Sequence, residues 1–467
     1  MMGRMVAGVD SSTQSCKVVV CDAETGTVLR EGRAAHPDGT AIDAGRWWEA
    51  YQLATADGLL DGVEAISVAG QQHGMVTLDD DDELVRDALL WNDTRSADAA
   101  TDLIDEFGGA SFWAGAVGLI PVASFTVSKV RWLAEHEPKN AEKVRTVVLP
   151  HDWLTGRILQ EGNGFQRWTT DRGDASGTGY WSAREGEYRP EIVRAAFGRE
   201  LNLPEVLGPS ERAGQTSDGR IVAAGTGDNM GAALGLGLRP GDVVLSLGTS
   251  GTVFADHDES VADERGYVAG FASASGGHLP LVCTLNAARV LTAGASMLGT
   301  DLAGLDELAM RAEPGAGGLT MLPYLDGERT PNLPGATGLL GGITRTNATP
   351  ENVARACVEG MLCNLEFSAA GLAAQGISID RVLLIGGASK SQAVRALAST
   401  IFDAPVVIPA SAEYVGLGAA RQAAWALTGE YPDWKIAVDD ELAPGDGAAG
   451  RRVREQYAAL GARVEWA

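Results

Sequence analysis

Apolar residues along this chain come in short runs separated by glycine- and hydroxyl-rich turns, and the first run sets the pattern. Residues 6–10 are an apolar stretch ending on Asp10. Ser11, Ser12, Thr13, Gln14 and Ser15 turn the chain, and residues 16–21 resume a strand with Val18 and Val20 on one face and Val19 on the other. A second turn at 24–26 leads to Val28 and Leu29, so the start reads as an antiparallel meander. A helix over 47–60 and a strand over 64–69 follow, which is an α/β order. Gly70-Gln71-Gln72-His73-Gly74 comes directly after that strand, at the end where α/β sheets present ligand-contacting residues. The acidic run 79–83 reads as a solvated turn. Helices are predicted over 97–107 and 127–135 and a buried strand over 144–149, whereas 162–180 reads as polar, glycine-rich and irregular.

The pattern restarts past the middle. An apolar run, 221–224, enters Gly225-Thr226-Gly227-Asp228-Asn229, and a small-residue helix over 230–238 leaves it. A strand over 241–247, the turn Gly248-Thr249-Ser250-Gly251 and a strand over 252–255 echo the first hairpin. The chain therefore reads as two related halves, 1–235 and 236–467, meeting near Gly235. Beyond lie helices over 284–298, 351–374, 392–401, 415–427 and 453–460, and strands over 381–385 and 406–408. A loop-rich stretch at 322–342 contains Pro323, Pro331 and Pro334, and 439–450 reads as an acidic linker.

Composition narrows the partners. A length of 467 residues suggests two or three domains. With 62 acidic and 37 basic residues the net charge is −25, which argues against nucleic acid and anionic membrane as partners. It does not exclude a phosphate ligand, because backbone N–H groups, helix N-termini and Mg²⁺ hold phosphate without a basic surface. Five cysteines with no CxxC pair read as free thiols of a reducing compartment. The N-terminus lacks the apolar core of a signal peptide, and the apolar stretch 221–238 carries Asp228 and Asn229, so no membrane span is expected. The expected location is the cytoplasm.

Asp228 stands alone among glycines at a strand-to-helix turn, a placement that suits a general base beside a phosphate and equally a helix N-cap. The two hairpins, with Ser11, Ser12, Thr13, Gly248, Thr249 and Ser250, suggest a phosphate chain held by small side chains and accessible N–H groups. Singly, each is also an ordinary polar turn. Asp10 is placed to hold Mg²⁺ through water, since Mg²⁺ keeps its waters. Gly386-Gly387-Ala388 follows a strand and would let a nucleotide lie against the backbone, or is simply a tight connection. Nothing matches GxxxxGK[ST], so this is not a P-loop enzyme. His73 beside Gln72, and Trp91, Asn92, Asp93 and Arg95, supply the aromatic face, donors and acceptors that a polyol needs. The alternative for them is a structural histidine and a buried tryptophan before a helix capped at Asp93 or Ser96.

In order, GVDSSTQSCKVVV, AGQQHGMVTLD, LLWNDTR, DASGTGYW, GTGDNMGAALGLG, LSLGTSGTVFA, PYLDGERTPN, GLLGGI, LLIGGASKSQAVRALAS and EYVGLGAAR resemble the blocks of FGGY-type carbohydrate kinases from Val6 to Ala424. The resemblance implies two actin-like (ribonuclease H-like) α/β domains flanking a catalytic cleft, with sugar deep inside and ATP toward the second domain. It implies ATP-dependent phosphorylation of D-xylulose at its 5-hydroxyl. Asp228 matches the catalytic base, and Asp10 the first-hairpin carboxylate associated with Mg²⁺ and activity. Gln72 and His73 match the substrate pair, with Asp228 and Asn229 also touching sugar. Ser12, Thr13, Gly248, Thr249 and Ser250 fall on the phosphate hairpins, and Gly386, Gly387 and Ala388 on the adenosine loop. Three positions depart from the common pattern: Gln72 where methionine is frequent, and Ser12 and Ala388 where glycine is frequent. A hinge is expected over 231–241, closing the cleft against water. Two other readings stay open: a kinase for another ketose or polyol such as ribulose, and an actin-like ATPase or nucleotide-dependent binding protein without a sugar substrate. Oligomeric state is open too, a homodimer included.

Overall fold

The alternation in the first hairpin is realised on the two faces of one sheet. Val18 and Val20 join Val9, Trp47, Ile66 and Val68 in one buried cluster, while Val19 joins Val6, Ala65, Ala420 and Ala423 in another. The computed structural model describes residues 3–464. It divides into two units. Unit 1 holds the chain up to Leu238 together with His257–Leu279 and Ala412–Lys435; unit 2 holds Arg239–Asp256, Pro280–Ser411 and the chain from Ile436 on. The change of unit at Leu238 lies beside the Gly235 boundary read from sequence, but a single cut does not describe the division. Residues 412–435, assigned by sequence to the second half, fold into unit 1.

In unit 1 the sheet runs Arg212–Gln215, Ile221–Ala223, Val63–Gly70, Met5–Ser11, Ser15–Asp22, Val28–Ala35. Met5–Ser11 pairs antiparallel with Ser15–Asp22 and parallel with Val63–Gly70. In unit 2, Asp242–Leu247 repeats that pairing, antiparallel with Gly251–Phe254 and parallel with Arg381–Ile385. The internal repeat is thus a repeat of topology as well as of pattern.

The helix Tyr414–Thr428 lies against both Met5–Ser11 and the helix Asp228–Leu236 with backbone nearly touching backbone. A Cβ placed on Gly8 would sit 1.9 Å from the Gly416 carbonyl oxygen. One on Gly235 would sit 2.0 Å from the Tyr414 oxygen, and one on Gly418 1.8 Å from the Gly231 oxygen. Only glycine allows this approach. The helix carries Gln422 into the interior, where its side chain satisfies both backbone polar groups of Gly225: Gly225 N donates to Gln422 Oε1 at 3.1 Å, and Gln422 Nε2 donates to Gly225 O at 2.9 Å.

Several sequence-based elements change. The helix read at 47–60 is Gly45–Ala54, followed by turns. The stretch 162–180 is not wholly irregular: it holds the strand Thr169–Asp171 and the helix Arg172–Ser176, whose N-cap Asp171 accepts from Gly173 N and Asp174 N. The helix read at 284–298 begins at Ala288, because His278–Thr284 pairs as a strand with Gly251–Phe254. The acidic linker at 439–450 includes the strand Val438–Leu442, which pairs with Val406–Pro409, and the last helix is Gly447–Gly461. Backbone pairing at the sheet edge overrides an acidic composition there. Helices Pro150–Glu161 and Pro190–Phe197, unforeseen from the apolar spacing, both start on a proline, which is preorganised for that position. Among the described residues no helix is long and apolar enough to cross a membrane.

Gly418→Ala should destabilise the protein by about 1–3 kcal/mol through overpacking. Gly115→Ala, in a helix with open space around the added carbon, should be neutral or gain up to about 1 kcal/mol. Denaturant unfolding of the two variants measures both; equal midpoints would remove the close helix contact as a constraint.

Candidate active site

Asp10 is the second-to-last residue of the strand Met5–Ser11 and is buried, 2% exposed. One oxygen accepts from the Ser12 hydroxyl, and Lys17 Nζ stands 3.7 Å from the other. Lys17 in turn meets Glu413 at 2.6 Å, just before the Tyr414–Thr428 helix. Burial raises the Asp10 carboxyl above its ordinary range, and Ser12 and Lys17 oppose that rise. The turn is braced from outside: His36 Nδ1 donates to Ser12 O at 2.8 Å, and Gln71 N donates to Ser11 O at 3.1 Å.

Asp228 is the first residue of its helix, after Gly225 at φ +85° and the N-cap Gly227. Its Oδ1 accepts from Asn229 N at 2.8 Å and Asn229 Nδ2 at 3.0 Å, and the same Nδ2 donates to Gln72 Oε1 at 2.9 Å. The helix N-terminus favours a carboxylate, yet burial, then the charges of Asp10 and Asp174, push this carboxyl up to about 7. Two amides orient it, and among the described residues no cation is paired with it. That is the condition of a proton acceptor matched to neutral pH.

The residues read as sugar contacts divide. Gln72 is buried, and among the described residues its Nε2 has no hydrogen-bond partner. His73 has φ +66°, rare for a side-chain-bearing residue. Its Nδ1 donates to Gly177 O at 2.9 Å, and its ring meets Phe125 edge-on at 4.8 Å. Trp91, 41% exposed, donates from Nε1 to Thr13 Oγ1 at 2.9 Å and so touches the turn of the first hairpin. Asn92 is exposed. Asp93 is committed to Thr40 and Arg95, at 2.8 Å each, and Arg95 lies over the Trp132 ring. Asp93 and Arg95 therefore fix the loop that presents Trp91.

Sequence reasoning passed over the groups beneath this surface. His151, fully buried, donates from Nδ1 to Asp174 Oδ2 at 2.7 Å, and its Nε2 faces Asp152 Oδ1 at 3.2 Å. The available signal was Asp174 at the head of the DASGT block, with Asp171 three residues before it; His151 itself looked like any lone histidine.

Unit 2 contains a cavity of about 570 Å³ lined by Gly248, Thr249, Leu291, Leu302, Gly387, Ala388 and Lys390, among others. The second hairpin and the glycine loop thus meet on one cavity, while Ser250 and Gly386 are not on its wall. Gly386, at φ +89°, packs behind it, where a Cβ would lie 2.7 Å from Leu247 O. Nothing lies within 4 Å of a Cβ built on Gly387, so a flat group has room there. Residues 5–237 match the N-terminal domain of the FGGY family of carbohydrate kinases, and residues 243–427 match its C-terminal domain. This chain is an FGGY carbohydrate kinase.

The FGGY assignment agrees with individual relatives. The chain is 47% identical over 450 residues to a xylulose kinase of Streptomyces coelicolor, covering 92% of this chain and 89% of that protein. It is 33% identical to a xylulose kinase of Haemophilus influenzae, covering 90% of each. The crystal structure of xylulose kinase from Bifidobacterium adolescentis superposes with a TM-score of 0.92 at 44% identity, covering 99% of this chain and all of that one. The fold is the two-domain actin-like, ribonuclease H-like α/β fold of FGGY kinases, and the protein is a sugar kinase.

The raised carboxyl of Asp228 carries a stability signature. Its folded value, about 7, lies above the ordinary 3.8, so folding is opposed increasingly as pH rises from the lower value to the upper. Asp228→Asn should therefore gain little in Tm near pH 4, and the gain should grow up to about pH 7 and then level. Thermal melts across that range test it; a gain independent of pH would mean that Asp228 is not held in a charge-hostile site.

Proposed function

We propose that this kinase transfers the γ-phosphoryl group of ATP to the 5-hydroxyl of D-xylulose, with Asp228 as general base. The observation that carries the reading is the Gln72–Asn229–Asp228 chain. Oδ1 of Asp228 is taken by Asn229, which leaves Oδ2 for a substrate hydroxyl. The sugar oxygen attacks the γ-phosphorus, its proton passes to Asp228, and ADP leaves with the electrons of the broken P–O bond. In this reading unit 2 takes the nucleotide in the cavity beside Gly387 and Ala388, with Thr249 and Ser250 toward its phosphates, and Thr13 is a phosphate contact of unit 1. Asp10 supplies one hard oxygen, which suits a Mg²⁺ ion that keeps most of its waters; Mg²⁺ would neutralise phosphate charge.

The sugar identity rests on the names of the similar proteins and on Gln72. Those relatives are xylulose kinases, and the unpartnered Gln72 Nε2 is a donor that a sugar oxygen would satisfy. We place the reaction in the cytoplasm, where five free cysteines stay reduced.

ADP release with Mg-ATP, measured against D-xylulose, D-ribulose, L-ribulose, glycerol, gluconate and no sugar, should depend on D-xylulose. Release with another sugar would keep the mechanism and change the substrate. Release without sugar would favour a nucleotide-dependent ATPase. Asp228→Ala should cut kcat by about 10²–10⁴-fold with nucleotide binding intact, and turnover at the parent rate would remove Asp228 as the base. Gln72→Met should raise KM for D-xylulose about tenfold, the loss of one hydrogen bond of about 1.4 kcal/mol. An unchanged ranking of ketoses would mean that residue 72 does not set specificity.

A further inference from the structure

His151 occupies a place hostile to positive charge. It lies in the first turn of the helix Pro150–Glu161, where the helix dipole disfavours a cation, and it is fully buried. Yet three carboxylates converge on its ring. Asp174 accepts from Nδ1 at 2.7 Å, and Asp152 and Asp171 stand 3.2 Å and 3.8 Å from Nε2. A buried anion without a counter-charge is far more costly than a paired one, so this group of acids requires a cation at its centre. Burial alone would push the imidazole down, but Asp152, the bond to Asp174 and Asp171 raise it to about 9. Burial pushes the carboxyls of Asp152 and Asp171 up, and Tyr180 beside the acids stays protonated, raised first by burial. The Gly70 and Gly225 turns meet His151 with glycine backbone.

Those two turns are the ones that matter to the reaction. A Cβ on Gly70 would lie 2.9 Å from the His151 Cβ, and one on Gly225 would lie 2.4 Å from the His151 ring. Gly70 opens the turn carrying Gln72 and His73, and Gly225 opens the turn carrying Asp228. The DASGT segment is also held at two points. Asp174 is bonded to His151, and Gly177 O accepts from His73 Nδ1. We propose that His151, as a buried imidazolium, is a positioning residue that ties the Asp171–Thr178 segment to the undersides of the sugar-contact turn and the base turn, fixing Asp228 relative to Gln72 and His73. The charge of Asp174, kept in place by this pair, is among the causes of the raised Asp228 carboxyl.

The proposal rests on Asp228 being the base, and its test separates the two. In the intact protein, ¹⁵N NMR of the imidazoles should show His151 with both ring nitrogens protonated at pH 8; a neutral ring at that pH overturns the proposal whatever the variants do. His151→Gln should lower kcat about 10²-fold, the scale of a small misplacement of reacting groups, with KM for ATP unchanged. His151→Lys, which returns a cation on a flexible stem, should restore most of the loss. A folded His151→Gln enzyme with parent kcat, or equal loss in the Gln and Lys variants, overturns the imidazolium role and leaves Asp228 as the base. An active Asp228→Ala enzyme removes the base assignment instead, independently of the NMR result.

Discussion

The crossing of the helix Tyr414–Thr428 over Gly8, Gly231 and Gly235 is the constraint on which unit 1 depends. At that distance there is no side chain to absorb an error, so backbone positions are transmitted directly between elements. The helix presses on the strand that carries Asp10 and on the helix that begins at Asp228. Its flanking Glu413 reaches Lys17 beside Asp10, and its Gln422 completes the hydrogen bonds of Gly225, three residues before Asp228. Both candidate carboxylates are thereby referenced to a single rod.

Asp93 and Asp228 show how environment sets role. Asp93 is buried but meets Arg95 and the Thr40 hydroxyl, and although burial pushes its carboxyl up, these partners bring it below the ordinary range. Asp228 is bonded to the amides of Asn229, and burial, then the charges of Asp10 and Asp174, push it up. The first is a fixed anion that shapes a loop; the second is able to take a proton. The difference lies in whether a cation stands beside the carboxylate.

Much of this was legible in the chain because it depends on local pattern. The alternation of Val18, Val19 and Val20 fixed the hairpin faces, and glycines around Asp228 and after Ile385 marked turns at strand ends. What escaped depends on distance in sequence. Gln422 is one polar residue among alanines, and nothing near it tells that it will serve a peptide almost two hundred residues earlier. His151 and Asp174 sit on separate helices, and only the tertiary fold brings their side chains together. The return of residues 412–435 to unit 1 follows from glycine spacing on two helices, a signal visible only when both are read together. Gly162 to Tyr180 looked irregular since its ordering comes from the side chain of Asp171, not from apolar periodicity.

The same late return sets an order of events on the ribosome. When residue 238 has been made, the sheet of unit 1 has its strands, but the glycine faces at Gly8, Gly231 and Gly235 still await a helix that ends at Thr428. At typical synthesis rates that helix arrives on the order of ten seconds or more later. During the interval the groove stands open and the peptide of Gly225 lacks Gln422. The first unit to begin is not complete until most of the second has been translated.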